Sequence, residues 1–81
     1  RHYLALVQGE FPEDHGRIVA AVGRSLANPG KMAVTGIRGK DAVTHFHTLE
    51  RYRCASLLKL VLETGRTHQI RVHMRFAGHP I

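Results

Sequence analysis

The chain has 81 residues, 43% of them hydrophobic, and a formal net charge of +6. This length fits one small domain or a piece of a larger one, and the ordinary hydrophobic fraction excludes wholesale disorder. A lone cysteine, Cys54, excludes an internal disulfide framework, and we expect it to be a small, partly buried apolar residue. No apolar run approaches the roughly 20 residues of a membrane span, and the start has no signal-peptide layout. We therefore expect a cytoplasmic protein with no membrane partner.

Positive charge is concentrated in the last part of the chain. Residues 1–50 carry six Lys or Arg side chains and five Asp or Glu side chains, whereas residues 51–81 carry six cations against Glu63 alone. Five of those six cations are Arg, whose planar fork suits phosphates and base edges better than the Lys ammonium does. The asymmetry favours a polyanionic partner.

Short apolar segments separated by turns make up the first half of the chain. Tyr3–Val7 is closed by Gly9 and predicts a buried strand. Residues 11–16 form a polar, turn-rich segment, and Arg17–Val22 fits either a strand or a short helix. The remaining segments of this half are a loop at 25–31, a short strand at Met32–Thr35 and a turn at 36–41.

The second half predicts two strands joined by a hairpin. Residues 42–51 are rich in strand-forming side chains, and Leu57–Glu63 alternates apolar and charged positions. Residues 52–56 are the hairpin connection between them. The positions that share the inward face of the second strand are Leu58, Leu60 and Leu62.

A helix is predicted at about residues 68–77. Thr67 is its expected N-cap and Gly78 its stop. The apolar positions at helical spacing are Ile70, Met74 and Ala77. Arg71 and Arg75 lie four residues apart and share a face of the helix. Together the elements predict an α+β fold.

The densest polar cluster is Thr64–His73, where a strand gives way to a helix. Backbone N–H groups at a helix start favour anions. Gly65 permits tight backbone geometry, and Arg66 can reach a carboxylate or a phosphate. The alternative interpretation is an ordinary amphipathic helix with a basic, solvated face.

Neither a metal site nor a nucleophile is evident in the sequence. Seven histidines are present, but His68 and His73 are five residues apart, and no His-Glu-x-x-His motif occurs. No Ser or Cys has the sequence context of an activated nucleophile. Asp14 and Asp41 lie in Gly-flanked turns, where Asp is common for local backbone reasons.

Three segments carry a family resemblance. Gly65–His73, followed by Gly78–Ile81, resembles the C-terminal signature of the RluA/RluD-type pseudouridine synthases. Tyr3–Gly9 is similar to the tyrosine motif of that family, and Gly39–Phe46 is similar to its middle strand region. The segments follow one another in the expected order along the whole chain.

The resemblance implies a fold and a reaction. The fold is a mixed, mostly antiparallel sheet with flanking helices. The reaction isomerises uridine to pseudouridine in large-subunit ribosomal RNA or tRNA, with no metal and no organic cofactor. Tyr3 would pack on the target uracil and serve as the proton acceptor. Arg66 would pair with the catalytic aspartate. The expected RNA contacts are His68, Arg71, His73 and Arg75.

Two family features have no counterpart in this sequence. The family's aspartate lies in a segment resembling His-Arg-Leu-Asp upstream of the tyrosine, and a Gly-Asp segment follows Gly78–Ile81. We therefore expect residues 1–81 to be an internal piece of a catalytic domain that is inactive alone, with the nucleophile elsewhere. The rival interpretations are a non-catalytic basic RNA-binding module and a small basic protein that binds another protein. The sequence predicts no oligomeric state.

Overall fold

The computed structural model describes all 81 residues, which form six strands and one helix. The elements are β1 (His2–Gln8), β2 (His15–Val19), β3 (Val22–Arg24), β4 (Met32–Val34), β5 (Val43–Arg51), β6 (Ala55–Leu62) and α1 (Gln69–Phe76). A four-stranded sheet has the order β1-β6-β5-β2, and β3 and β4 form a separate pair. Every pairing is antiparallel. The predicted α+β class with a mostly antiparallel sheet is confirmed. The one helix is not long enough to cross a membrane.

Alternation along β6 sets the inner face of the large sheet. Leu58 and Leu60 are fully buried, whereas Lys59 between them is exposed, as predicted. Tyr52 N–H donates to the Ala55 carbonyl and closes the predicted hairpin between β5 and β6. A shift of register between Thr48 and Glu50 marks a bulge near the end of β5.

Helix α1 packs between the two sheets. Met74 joins the core of the large sheet, and Val72 joins a smaller core beneath β3 and β4. The large core consists of Ala5, Val7, Phe11, Phe46, Leu58, Leu60 and Met74. The small core consists of Val22, Ala42 and Val72. The helix therefore fixes the position of one sheet relative to the other.

A buried polar network attaches α1 to β5. Gln69 Nε2 donates to Thr44 Oγ1 at 2.9 Å and to the Val43 carbonyl at 3.1 Å. His73 Nε2 contacts the Ala20 carbonyl at 2.9 Å, which can only accept, so this nitrogen is the donor. His73 Nδ1 then accepts the Thr44 hydroxyl proton at 2.8 Å. All three side chains are buried, and no buried side-chain N or O atom in the chain lacks a partner.

The end of α1 brings the chain back to β1. Gly78, with φ of 90°, and His79 donate backbone N–H groups to the carbonyls of Arg75 and Met74. These two bonds form a Schellman motif, so the predicted stop at Gly78 is confirmed. Beyond it, the Pro80 carbonyl accepts from Gln8 N–H at 2.8 Å. The segment after the helix therefore lies against the end of the first strand.

The predicted helix start is wrong. The N-cap is His68 rather than Thr67; its φ is 55°, and no side chain caps the helix. The Gln69 side chain instead bonds back to the preceding loop, through Arg66 N–H and the Thr64 hydroxyl. Within the predicted apolar stripe, Ile70 and Met74 pack against the core, but Ala77 is exposed and Val72 was missed.

Three further predictions need correction or resolution. β1 is not buried on both faces, because Leu4 is 68% and Leu6 is 57% exposed. The ambiguous segment Arg17–Val22 is divided between the end of β2 and the start of β3. Cys54 is exposed in the hairpin, not partly buried. The loop at 25–31, the strand near Met32 and the turn at 36–41 are confirmed.

The substitution Thr44→Val in the full-length protein tests the buried network. It keeps the side-chain shape, but leaves His73 Nδ1 and one Gln69 N–H without partners. We expect the free energy of unfolding to fall by about 2–4 kcal/mol, since each unsatisfied buried group costs about 1–3 kcal/mol. Urea denaturation measures the change.

The matched control is Thr48→Val on the same strand. The Thr48 hydroxyl bonds only the Glu13 carbonyl, so the expected loss of unfolding free energy is about 1 kcal/mol. Equal losses would contradict the role given to Thr44.

Candidate active site

The loop between β6 and α1 is fixed by the buried amide of Gln69. Its Oε1 accepts from the Thr64 hydroxyl at 2.7 Å and from Arg66 N–H at 3.0 Å. Thr64 Oγ1 in turn accepts from Val43 N–H at 3.1 Å. Residues 64–66 are thereby attached to the start of β5 and to the first turn of α1, so the backbone of Arg66 has a defined position.

The side chain of Arg66 is half-buried and anchored on one edge. Its Nε donates to the Asp41 carbonyl at 2.8 Å. Neither of its Nη atoms has a hydrogen-bond or ion-pair partner within the chain. Because Nε is engaged, the edge formed by Nη1 and Nη2 is the one left free to bind a carboxylate or phosphate in a bidentate pair. Anchoring through Nε aims that edge while leaving it open.

Tyr3 lies at the same end of the large sheet as Arg66. It pairs with Leu60 and shares the inner face of β1 with Ala5, and it is 46% exposed. Two residues earlier, the guanidinium of Arg1 occupies the space that a Cβ at Gly65 would need. The start of β1 therefore contacts the loop that carries Arg66.

Two neighbouring cavities carry most of the positive charge. A cavity of about 650 Å³ beside Arg66 is lined by Arg24, Arg38, Lys40 and Arg66. A smaller one of about 200 Å³ is lined by Lys31, His68, Arg71 and Arg75. Met32 lines both, and no acidic residue lines either. Seven of the twelve Lys and Arg side chains thus surround two adjacent cavities, which makes this face the most basic part of the molecule.

The structure brings together three of the four predicted RNA contacts. His68, Arg71 and Arg75 are exposed and line the smaller cavity. The prediction that His73 contacts RNA needs correction. Its side chain is fully buried, with its two ring nitrogens bonded to Thr44 and Ala20, so RNA cannot reach it. Its position on the inner side of α1, toward β5, explains the difference.

Sequence reasoning missed two groups of residues. The cations Arg24, Lys31, Arg38 and Lys40 come from the half of the chain whose net charge is only +1. Only folding brings them beside Arg66. The network around Gln69 was also missed; its one sequence signal is a Gln in the first turn of an amphipathic helix, near two Thr residues.

Neither aspartate in the predicted turns is paired with Arg66. Asp14 bonds Arg51 Nη2 at 2.8 Å, and this hydrogen bond, followed by the charge of Arg51, lowers the pKa of Asp14 below its ordinary value. Asp41 contacts Arg66 through its backbone carbonyl rather than its carboxylate. Both observations fit the structural interpretation of these turns.

The histidines of the sheet form no metal centre in this structure. No group of three or more His, Cys, Asp or Glu side chains is arranged to hold a metal ion. His45 Nε2 contacts the Glu63 carboxylate, and the rings of His15 and His47 lie 6.4 Å apart across β2 and β5. The expectation of a reaction without a metal stays a prediction.

Comparison with known proteins identifies the family. The family model described as RNA pseudouridylate synthase matches residues 1–76. The chain therefore belongs to the RNA pseudouridylate synthase family. The segment that resembles the family's tyrosine motif and the one that resembles its C-terminal signature meet at one end of the sheet.

Particular relatives extend over the whole chain. It is 51% identical, over 81 residues, to the uncharacterized RNA pseudouridine synthase YlyB of Bacillus subtilis (strain 168), of which it covers 26%. It is 53% identical to ribosomal large subunit pseudouridine synthase D of Neisseria meningitidis (strain Z2491), of which it covers 21%. The chain thus spans about a quarter of the length of these relatives.

A solved structure has the same fold. The human RNA pseudouridylate synthase domain containing 1 protein superposes with a TM-score of 0.88 at 34% identity, over 98% of this chain and 36% of the human chain. The human domain containing 4 protein gives a TM-score of 0.78 at 25% identity, over 99% of this chain and 34% of the other. The sheet and helix described above are therefore an arrangement found within larger proteins of this family.

The ion pair of Asp14 provides a test by titration. Because Arg51 lowers the folded-state pKa of Asp14, the pair stabilises the fold above the unfolded pKa, and this contribution is lost as pH falls through the folded pKa. In the full-length protein, Arg51→Gln should raise the pKa of Asp14 toward its ordinary value, as followed by NMR of the carboxyl carbon. The control Arg53→Gln should leave it unchanged. An Asp14 that titrates identically in both variants would contradict the pairing.

Proposed function

We propose that this chain is part of the catalytic domain of an enzyme that isomerises uridine to pseudouridine in RNA. The observation that carries the proposal is the state of Arg66: its backbone is tied to Gln69, its Nε is tied to Asp41, and its outer edge is open. Membership of the pseudouridylate synthase family supports this interpretation. The nucleophilic aspartate would come from a segment outside residues 1–81, because Asp14 is held by Arg51 and Asp41 contacts Arg66 only through its backbone carbonyl.

The reaction requires a uridine to leave the RNA stack. The flipped nucleotide enters a pocket at the end of the sheet where Tyr3 and Arg66 lie, as enzymes acting on bases generally require. An aspartate acts at the sugar, and the bond from C1′ to N1 breaks. The uracil rotates, C5 bonds to C1′, the proton on C5 is removed, and N1 gains a proton. Atoms are conserved, so the reaction is an isomerisation.

Each residue has a distinct role in this proposal. The open edge of Arg66 keeps the aspartate ionised and holds it in a fixed bidentate orientation. The ring of Tyr3 packs on the target base, and its phenolic oxygen, deprotonated for this step, accepts the proton from C5. His68, Arg71 and Arg75 contact the RNA backbone from the smaller cavity. No step requires a metal or an organic cofactor.

Large-subunit ribosomal RNA is the proposed substrate. The support is the similarity to relatives named for this substrate, such as the ribosomal large subunit pseudouridine synthase D of Neisseria meningitidis. Transfer RNA, which the motif resemblance also allows, is the alternative substrate. A cytoplasmic location is part of this proposal.

A non-catalytic RNA-binding module is the second candidate function. The observation that favours it is the continuous basic face, which would bind RNA with or without turnover. Release of tritium from RNA labelled at uracil C5 separates the two functions, since only isomerisation removes the atom at C5. The full-length protein should release tritium, and residues 1–81 alone should not.

The substitution Arg66→Lys in the full-length protein tests the proposed role of Arg66. Lysine keeps the charge but not the planar fork, so the aspartate loses its fixed orientation. We expect kcat to fall by about 100-fold, the size of loss that a misplaced reacting group produces, while RNA affinity changes little. Tritium release at saturating RNA measures kcat.

The matched control for Arg66→Lys is Arg53→Lys. Arg53 is exposed in the hairpin before β6, whereas Arg66 follows the other end of that strand. Its replacement should leave both kcat and RNA affinity unchanged. Near-normal turnover by Arg66→Lys would show that the active site has been assigned to the wrong arginine.

Substitutions of Tyr3 separate packing from proton transfer. Tyr3→Phe keeps the ring and removes the hydroxyl, so RNA affinity should be retained while kcat falls by about 10²–10⁴-fold, as expected when a general base is lost. Tyr3→Ala should lower both. The control Tyr52→Phe, at an exposed hairpin position, should change neither. Full turnover by Tyr3→Phe would exclude the hydroxyl as the base.

A further inference from the structure

Three cations outside the predicted RNA-contact set line the larger cavity. Arg24, Arg38 and Lys40 surround it together with Arg66, and none of its lining residues is acidic. Neither ion pair of the chain involves any of the four. Like charges gathered around one cavity repel one another, and an anionic occupant removes that repulsion. The charge pattern therefore indicates a site for an anion with more than one charge.

The turn that carries two of these cations is held in place by its backbone. Arg38 has a φ of 57°, in the left-handed region that only Gly adopts freely. A Cβ at Gly39 would collide with the Thr35 carbonyl, so the turn is closely packed. Lys40 and Val22 exchange two backbone hydrogen bonds, of 2.9 and 3.0 Å. The two side chains are thus presented to the cavity by a pre-organised turn.

Apolar side chains share this cavity with the cations. Leu26 is 66% and Ile37 is 58% exposed, and both line it. Exposed apolar groups beside Arg side chains fit a nucleotide, which combines a charged phosphate with the apolar faces of ribose and base. A cavity of about 650 Å³ has room for such a unit.

We propose that the larger cavity binds backbone phosphates of the RNA strand beside the flipped uridine, with Arg24, Arg38 and Lys40 as the binding residues. This inference rests on the proposed function, because Arg66 on the cavity wall marks the position of the flipped nucleotide. Phosphate contacts fix the register of a nucleic acid without reading its sequence. Because Met32 lines both cavities, the strand continues from the larger cavity to Arg71 and Arg75 in the smaller one.

The first test uses Arg38→Gly in the full-length protein. Glycine accepts the left-handed backbone of this position, so the variant removes the guanidinium without straining the turn. The affinity for a fluorescein-labelled oligouridine RNA is measured by anisotropy at several salt concentrations. We expect about three- to tenfold weaker binding near 0.1 M salt and a salt slope reduced by roughly 1 or less.

A second variant and a charge-matched control complete the test. Lys40→Gln keeps its backbone bridge to Val22 and should weaken RNA binding in the same way. Arg53→Gln also removes one positive charge, but from the hairpin at the other end of β6, and should leave affinity and slope unchanged. If all three variants weakened RNA binding equally, the loss would be explained by net charge alone, and the proposed site would be overturned.

Two further measurements make the outcome specific. Calorimetric titration with inorganic phosphate tests for a free-anion site. The assignment to RNA would be overturned if Arg38→Gly abolished phosphate binding but left RNA affinity unchanged.

Tritium release from labelled ribosomal RNA separates this inference from the proposed function. If the unmodified protein releases no tritium but Arg38→Gly still weakens RNA binding, the proposed function fails and the phosphate site stands. If turnover is normal and neither variant changes RNA affinity, the site fails and the function stands.

Discussion

The hydroxyl of Thr44 lies between Gln69 and His73, and the rest of the structure depends on this buried contact. It accepts from Gln69 Nε2 at 2.9 Å and donates to His73 Nδ1 at 2.8 Å, so one small side chain of β5 holds two residues of α1. His73 extends the connection to the Ala20 carbonyl ahead of β3, which ties the helix to both sheets. Buried polar groups are costly when they lack partners. Every buried side-chain N or O atom here has a partner, so the network favours this placement of the helix.

The side chain of Gln69 also connects this buried network to Arg66 in the candidate active site. Its Oε1 accepts from Arg66 N–H, and Arg66 Nε is held by the Asp41 carbonyl. The hydrogen bonds that stabilise the fold thus also orient a guanidinium whose Nη1 and Nη2 atoms have no partner within the chain. An arginine positioned in this way suits a carboxylate that must stay ionised and oriented during a reaction. In the proposed function, the surrounding cations attract and align the RNA that carries the reacting base.

Local patterns in the sequence predicted much of the fold, and the remainder depended on long-range contacts. The alternation of Leu58, Lys59 and Leu60 predicted β6 and its inner face, and Gly78 predicted the end of α1. The predicted N-cap, Thr67, was wrong because His68 adopts a left-handed conformation at that position and no side chain caps the helix. For the site, the motif around Arg66 was recognisable along the chain. The convergence of Arg24, Arg38 and Lys40 on it was not, because these residues come from a nearly neutral half and meet it only after folding.

The most direct measurement is a crystal structure of the full-length protein bound to an RNA fragment that contains its target uridine. The account predicts a uridine turned out of the RNA, its base against Tyr3, with an aspartate carboxylate in bidentate contact with Nη1 and Nη2 of Arg66 at about 2.7–2.9 Å. Phosphates beside that nucleotide should lie in the cavity lined by Arg38 and Lys40. An Arg66 edge occupied by a structural group, with the RNA bound on the opposite face of the sheet, would contradict the account.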